Sequence, residues 1–273
     1  MTIGIATRLA VERDSQRPFF GTSAGEKWLD DALKVAGVTS IPSVNNLEVK
    51  PSFWFILVDS TLALHTREKI FKTFVQSSSV PICLVLTDGW SYSSQALNSV
   101  EQATKCELQV RLDYDDMLHT SFLKVMIEES SSLKGDKCLI SPSNGICREL
   151  YPQRFARIRK KMSPFLALHR KGISRELSIF SFDHDQWPHR FVHELQAMPL
   201  WIQTITGKNI TNRFGRGWQV EQVRHLKRLD LKPWTGESLD LVTSTKFPGL
   251  RNCAELLREY VSHFRRAVRR SFK

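Results

Sequence analysis

Glu107-Leu108-Gln109-Val110-Arg111-Leu112-Asp113-Tyr114-Asp115-Asp116-Met117-Leu118 is an alternating apolar run that ends in three carboxylates. Leu108, Val110 and Leu112 recur at every second position, the pattern of a strand with one buried face. Met117, Leu118, Phe122, Leu123, Met126 and Ile127 then recur at helical spacing, which predicts a strand-to-helix turn carrying Asp113, Asp115 and Asp116. In an open α/β sheet such turns lie at the carboxyl ends of the strands, where ligands bind. Three acids this close repel one another unless a cation sits among them. Hard oxygen ligands suit Mg²⁺ or Mn²⁺, whose shell is then completed by substrate phosphates. An acidic helix N-terminus is the simpler use of these residues, but a cap needs one or two acids and this turn has three.

The flanking chain repeats a strand–helix alternation. Strands are predicted at residues 2–9, 53–58 and 81–86, and helices at 26–38, 66–75 and 93–104, with a polar loop from 42 to 51. The run at 53–58 is apolar throughout, as in a strand buried on both faces. This order predicts an α/β fold: a mostly parallel Rossmann-like central sheet flanked by helices. No G-x-G-x-x-G follows the first strand and no G-x-x-x-x-G-K-[ST] occurs, which disfavours dinucleotide and P-loop binding. Further strands are expected at 137–141, 177–182 and 199–207, with a turn at 141–145, a helical segment at 219–229, a loop at 232–236 and a basic amphipathic helix at 250–272.

The chain carries 41% hydrophobic residues, enough for a sizeable core, and a net charge of +11, which implies an anionic partner. Five scattered cysteines without a C-x-x-C pair argue for a reducing compartment and against structural zinc. The amino terminus does not read as a signal peptide, and the longest apolar run is too short to span a bilayer. The expectation is a cytoplasmic protein, peripheral on the inner face of the membrane through its carboxyl-terminal helix. Two segments are strongly basic. Residues 148–175 hold Arg148, Arg154, Arg157, Arg159, Lys160, Lys161, Arg170, Lys171 and Arg175 against Glu149 alone, with apolar residues at loose helical spacing. Residues 258–273 place Arg258, Arg265, Arg266, Arg269, Arg270 and Lys273 opposite an apolar stripe, which fits an anionic leaflet. His184, between Asp183 and Asp185, is a candidate at a metal or phosphate.

An R-L-D-x-D-D-h strand end after three strand–helix units resembles the metal-binding D-x-D turn of GT-A glycosyltransferases. With Thr7-Arg8, the 53–59 strand, the Gly145 turn, His184, and Pro199-Leu200-Trp201-Ile202-Gln203 with Asn209, the chain resembles a bacterial rhamnosyltransferase family over residues 1 to about 215. The resemblance implies a GT-A-like single catalytic domain at 1–215. Within it, 1–130 would be the nucleotide-sugar half and 131–215 the acceptor-side half, with 216–273 a basic extension. It implies transfer of a sugar, rhamnose by the family's name, from a nucleotide diphosphate donor to a glycan or lipid-linked glycan acceptor. Thr7, Arg8, Arg111 and Asp113 would lie at the donor. Asp115 and Asp116, with His184, would hold Mn²⁺ or Mg²⁺; Gly145, Trp201 and Asn209 would lie on the acceptor side. Threonine stands at 206 where the resemblance leads one to expect a histidine nearby. Transfer also needs a carboxylate base, for which Asp183, Asp185 and Glu149 are candidates and Asp185 is preferred.

Other classes fit less well. A haloacid-dehalogenase-like phosphatase also has a D-x-D after a strand, but normally early and followed by Thr or Val. A nucleic-acid binder or metal-dependent nuclease is supported by the charge, yet no recognition motif accompanies it. An inactive interaction module leaves the three acids unexplained.

Overall fold

The computed structural model describes residues 1–12, 19–150, 153–171, 176–206, 214, 220–237 and 239–242. The chain runs β1 (Ile3–Ala10), α1 (Ser23–Val38), α2 (Ser40–Asn45), β2 (Phe53–Asp59), α3 (Leu64–Ser77), β3 (Ile82–Thr87), α4 (Ser93–Ala103), β4 (Leu108–Arg111), β5 (Met117–Leu118), α5 (Phe122–Ser132), β6 (Leu139–Pro142), β7 (Asn144–Glu149), β8 (Arg154–Lys160) and β9 (Ala167–His169). It continues through β10 (Val192–Leu195), β11 (Trp201–Ile205), β12 (Val220–Leu226), β13 (Arg228–Asp230), α6 (Lys232–Thr235) and β14 (Asp240–Val242).

Seven strands form the central sheet in the order β10-β6-β9-β4-β1-β2-β3. β1 is parallel to β2 and β4, β2 to β3, and β10 to β6, while β9 is antiparallel to both β4 and β6. This is the mostly parallel α/β sheet expected from the strand–helix alternation. Side chains alternate across it: Ile3, Ile5, Leu9, Leu108 and Val110 pack with α1, α3 and α5, whereas Ala6 packs with α4 and with Ile179 and Phe180. No helix among the described residues is long and apolar enough to cross a membrane.

A second sheet, β12-β8-β7-β11-β5, is not expected from the sequence, although its β11 falls within the strand expected at 199–207. Residues 154–160 and 167–169 are strands rather than the loose helical pattern expected there. Phe155, Ile158, Met162 and Phe165 are spaced by three or four and mimic a helix, but Ser163-Pro164 interrupts the segment and short apolar runs are ambiguous in period. Residues 220–226 and 228–230 are likewise strands, not a helix. β12 pairs antiparallel with β8, so tertiary pairing outweighs local propensity there. The sheet thereby reaches past residue 215.

Smaller differences follow local chemistry. The segment after α1 holds the short helix α2, in which Pro42 lies in the first turn, where no N–H is required. Met117 and Leu118 do not open a helix; they pair with Trp201 and Ile202, and α5 begins at Phe122. β6 runs to Pro142 and β7 starts at Asn144, leaving little turn between them. Residues 177–182 form no strand. At 232–236 a single helical turn, α6, closes on Gly236 with φ of +80°. The expected helix at 250–272 and Asn209 lie outside the described residues.

Candidate functional site

The acidic turn follows β4 at the carboxyl edge of the central sheet. Leu112 donates its N–H to the Ala6 carbonyl at 3.1 Å, and Asp116 N–H returns to the Asp113 carbonyl at 3.2 Å, closing the turn. The Thr7 hydroxyl donates to the Leu112 carbonyl at 2.6 Å and accepts the Trp54 indole N–H at 3.0 Å. Thr7 is fully buried, so its hydroxyl fastens the turn to β1. From the other side Thr39 Oγ1 donates to the Tyr114 carbonyl at 3.1 Å, and the Tyr114 ring meets Trp28 edge-on at 5.6 Å.

The three acids have different surroundings. Asp113 faces Arg111 Nη2 at 3.5 Å. Burial opposes its ionisation, but Arg111, Arg8 and His184 together hold its carboxyl below the usual value. Asp115 and Asp116 are both buried. Asp116 Oδ1 accepts the Thr204 N–H at 2.7 Å. Burial and the charges of Asp115 and Asp113 push Asp116 well above the ordinary carboxylate range, against the pull of Thr204 N–H and Lys160. Burial and the same three acids raise the Tyr114 hydroxyl.

Three cations face these acids. Arg8, at the end of β1, packs its guanidinium 3.3 Å from the Trp90 ring centroid and 4.3 Å from that of Phe180. Arg111 lies 5.9 Å from Phe180. Lys160, at the end of β8, donates to Gln203 Oε1 at 2.6 Å, and burial lowers its ammonium pKa against the attraction of Cys147 and Asp116. In the sequence Lys160 is only one of nine cations in the 148–175 run and is not singled out as a site residue. Period-2 alternation along β8 turns it inward with Ala156 and Ile158 while Arg157 is exposed.

His184 arrives on the irregular segment that replaces the expected strand. Burial and Arg111 drive its imidazole down to about 4, with Asp185 and Asp113 pulling the other way, so it is neutral at pH 7. Its charged neighbours are Arg111, Asp185, Asp113 and Lys160. Among the described residues no group of three or more His, Cys, Asp or Glu side chains forms a metal cluster. The pair Asp115–Asp116 nonetheless suits a hard cation: the repulsion that raises Asp116 is what a cation would relieve, and two carboxylates with substrate phosphates suffice for Mg²⁺.

Of the proposed bases, Asp185 and Asp183 are exposed, and Glu149 accepts from Arg154 Nε at 2.5 Å. Gly145 and Trp201 are brought together, but in the core. Trp201 is fully buried, donates its indole N–H to the Pro142 carbonyl at 2.7 Å and stacks on Phe165 at 4.8 Å. A Cβ on Gly145 would lie 2.2 Å from the Trp201 ring.

No protein-family model matches the chain, and no curated protein matches it in sequence. Solved structures do show a likeness in fold. A cytidylyltransferase from Leptospira borgpetersenii serovar Hardjo-bovis is 11% identical over 72% of this chain and 75% of its own, with a TM-score of 0.41. S. aureus TarS 1-349 in complex with UDP-GlcNAc is 8% identical over 76% of this chain and 59% of its own, with a TM-score of 0.40. The match covers 37% of a longer S. aureus TarS chain. A CMP:2-keto-3-deoxy-manno-octonic acid synthetase complexed with CTP is 8% identical over 73% of this chain and 90% of its own, with a TM-score of 0.33.

Proposed function

We propose that this chain is a glycosyltransferase moving a sugar from a nucleotide diphosphate donor to a glycan or lipid-linked glycan acceptor. The observation that carries the reading is the acidic turn Asp113-Tyr114-Asp115-Asp116 at the carboxyl edge of a parallel sheet, set against Arg8, Arg111 and Lys160. Acids and cations interleaved at one edge suit a ligand that is anionic and metal-associated. Residues 1–130 form the donor half in this reading and 131–215 the acceptor-side half. Rhamnose is the sugar that the resemblance carries.

Asp113, held ionised by Arg111 and Arg8, takes the donor ribose hydroxyls. Arg8 and Arg111 meet the diphosphate, a use for which the planar guanidinium fork is suited. A divalent Mn²⁺ or Mg²⁺ held by Asp115 and Asp116 would neutralise charge on the departing diphosphate. Neutral His184 beside Asp113 accepts or donates one hydrogen bond at the phosphates. Asp185, exposed next to it, is the proposed base for the acceptor hydroxyl.

A thermal-shift screen against nucleoside diphosphates, with Mn²⁺, Mg²⁺ or EDTA, tests this. A ligand at a hundredfold excess over its Kd stabilises the native state by about 2.7 kcal/mol. One diphosphate is expected to raise the melting temperature, more so with metal than with EDTA. No shift with any diphosphate, together with a salt-sensitive shift with oligonucleotides, would overturn the reading in favour of nucleic acid.

A further inference from the structure

Arg8 and Arg111 leave the same face of neighbouring parallel strands, in a register that pairs Ala6 with Arg111. Like charges on adjacent strands destabilise a sheet. Asp113 offsets part of the repulsion, and two aromatic rings hold the guanidinium groups in place. The Phe180 ring serves both, at 4.3 Å from Arg8 and 5.9 Å from Arg111, and Trp90 adds a second face to Arg8 at 3.3 Å.

Both rings are fastened by contacts of their own. Trp90 follows β3, and its backbone N–H donates to the Glu12 carbonyl at 2.9 Å. Phe180 belongs to the segment laid over β4 in place of a strand. Ile179 N–H donates to Gln109 Oε1 at 2.7 Å, and Phe180 N–H to Ser178 Oγ at 3.1 Å. Ser178 and Ser181 hydroxyls each bond Ser94 of α4, at 3.1 and 2.9 Å. The segment is thus tied to sheet and helix on either side of the ring.

Arg111 is 7% exposed, and its Nε and Nη1 are buried with no hydrogen-bond partner among the described residues. Buried charged donors left unmade cost free energy, and an anion that accepts from them removes the cost. A guanidinium stacked on a ring face keeps its N–H edge for such in-plane bonds.

We infer that Trp90 and Phe180 are positioning residues that hold Arg8 and Arg111 as a desolvated cradle for the two phosphates of the donor. This rests on the donor reading above. The aromatic faces supply attraction without supplying acceptors, so the buried Nε and Nη1 of Arg111 keep their N–H groups for phosphate oxygens.

The test is calorimetric titration of the full chain with inorganic pyrophosphate and with the nucleoside diphosphate chosen by the thermal screen. Phe180→Leu and Trp90→Leu keep apolar bulk but lose the ring face, and each is expected to weaken both ligands about tenfold. Phe180→Tyr and Trp90→Phe keep a ring and are expected to stay within about twofold of the parent. Arg8→Lys leaves both rings in place and keeps the charge without the planar face, so the same roughly tenfold loss is expected even if the leucine variants fold poorly. Parent-like affinity in the folded leucine variants would overturn the cradle while leaving the donor reading intact; parent-like affinity in Arg8→Lys would overturn the cradle and also remove the Arg8 fork from the diphosphate contact. A parent protein that binds neither pyrophosphate nor any nucleoside diphosphate would overturn both.

Discussion

Asp116 is buried, accepts a backbone N–H from Thr204, and is pushed above the carboxylate range by burial and by Asp115 and Asp113. Asparagine at 115 and 116 removes the repulsion and keeps an acceptor for Thr204. The double variant Asp115→Asn, Asp116→Asn is therefore expected to melt no lower than the parent, while donor hydrolysis or transfer falls at least about a hundredfold. Retained activity would remove both residues from the chemistry. His184 offers a different readout. Its imidazole is depressed to about 4, so between an unfolded value near 6.5 and that point the unfolded chain binds a proton that the native chain refuses. The native state is favoured above pH 6.5 and loses this advantage as pH falls toward 4. His184→Asn is expected to shrink the drop in melting temperature between pH 7 and pH 5; an unchanged drop would contradict the burial of a neutral ring. Asp113, Asp115, Asp116, Arg8 and Arg111 were legible as site candidates because they cluster on one turn or end a strand. Lys160, Trp90 and Phe180 were not, since nothing in their neighbours along the chain points at the acids.

At the level of elements, the β7–β11 contact turns on one missing side chain. Gly145 packs under the Trp201 ring so closely that a Cβ would sit 2.2 Å from it. Gly145→Ala is expected to lower stability by about 3 kcal/mol, as overpacking of a rigid core does, read by urea denaturation. A neutral substitution would show that Trp201 can move, and with it the Phe165 stack and the Pro142 hydrogen bond. The strands of the central sheet could be read from sequence because continuous or alternating apolar runs bounded by turn residues have few other uses. β8 and β12 could not. Each is half polar, and its strand character comes from pairing with a distant partner, Arg157 opposite Arg224 and Ala156 opposite His225, far apart in sequence. The 177–182 segment errs the other way: it alternates like a strand, yet side-chain hydrogen bonds from Gln109 and Ser178 take up its N–H groups.

For the whole molecule the net charge of +11 is the property without local cause. Part of it is buried at the site, where Arg8, Arg111 and Lys160 offset the acids. A further part lies in residues 258–273, outside the described residues, whose six cations would each add about 1 kcal/mol at an anionic lipid surface. Deleting 258–273 is expected to weaken binding to anionic vesicles at least about tenfold while leaving diphosphate binding within about twofold; equal vesicle binding would exclude membrane docking through this segment. The sequence by itself determined the α/β class, the parallel strand–helix alternation of the first 130 residues and the acidic turn, because each rests on periodicity or on residues adjacent in the chain. Only the tertiary structure decided that a second, largely antiparallel sheet completes the fold, that Trp201 and Gly145 belong to the core, that Lys160 faces Asp116, and that Trp90 and Phe180 pack on Arg8 and Arg111. Those facts depend on which side of a strand meets which distant partner, and pairing between strands far apart in sequence leaves no periodic mark on either one.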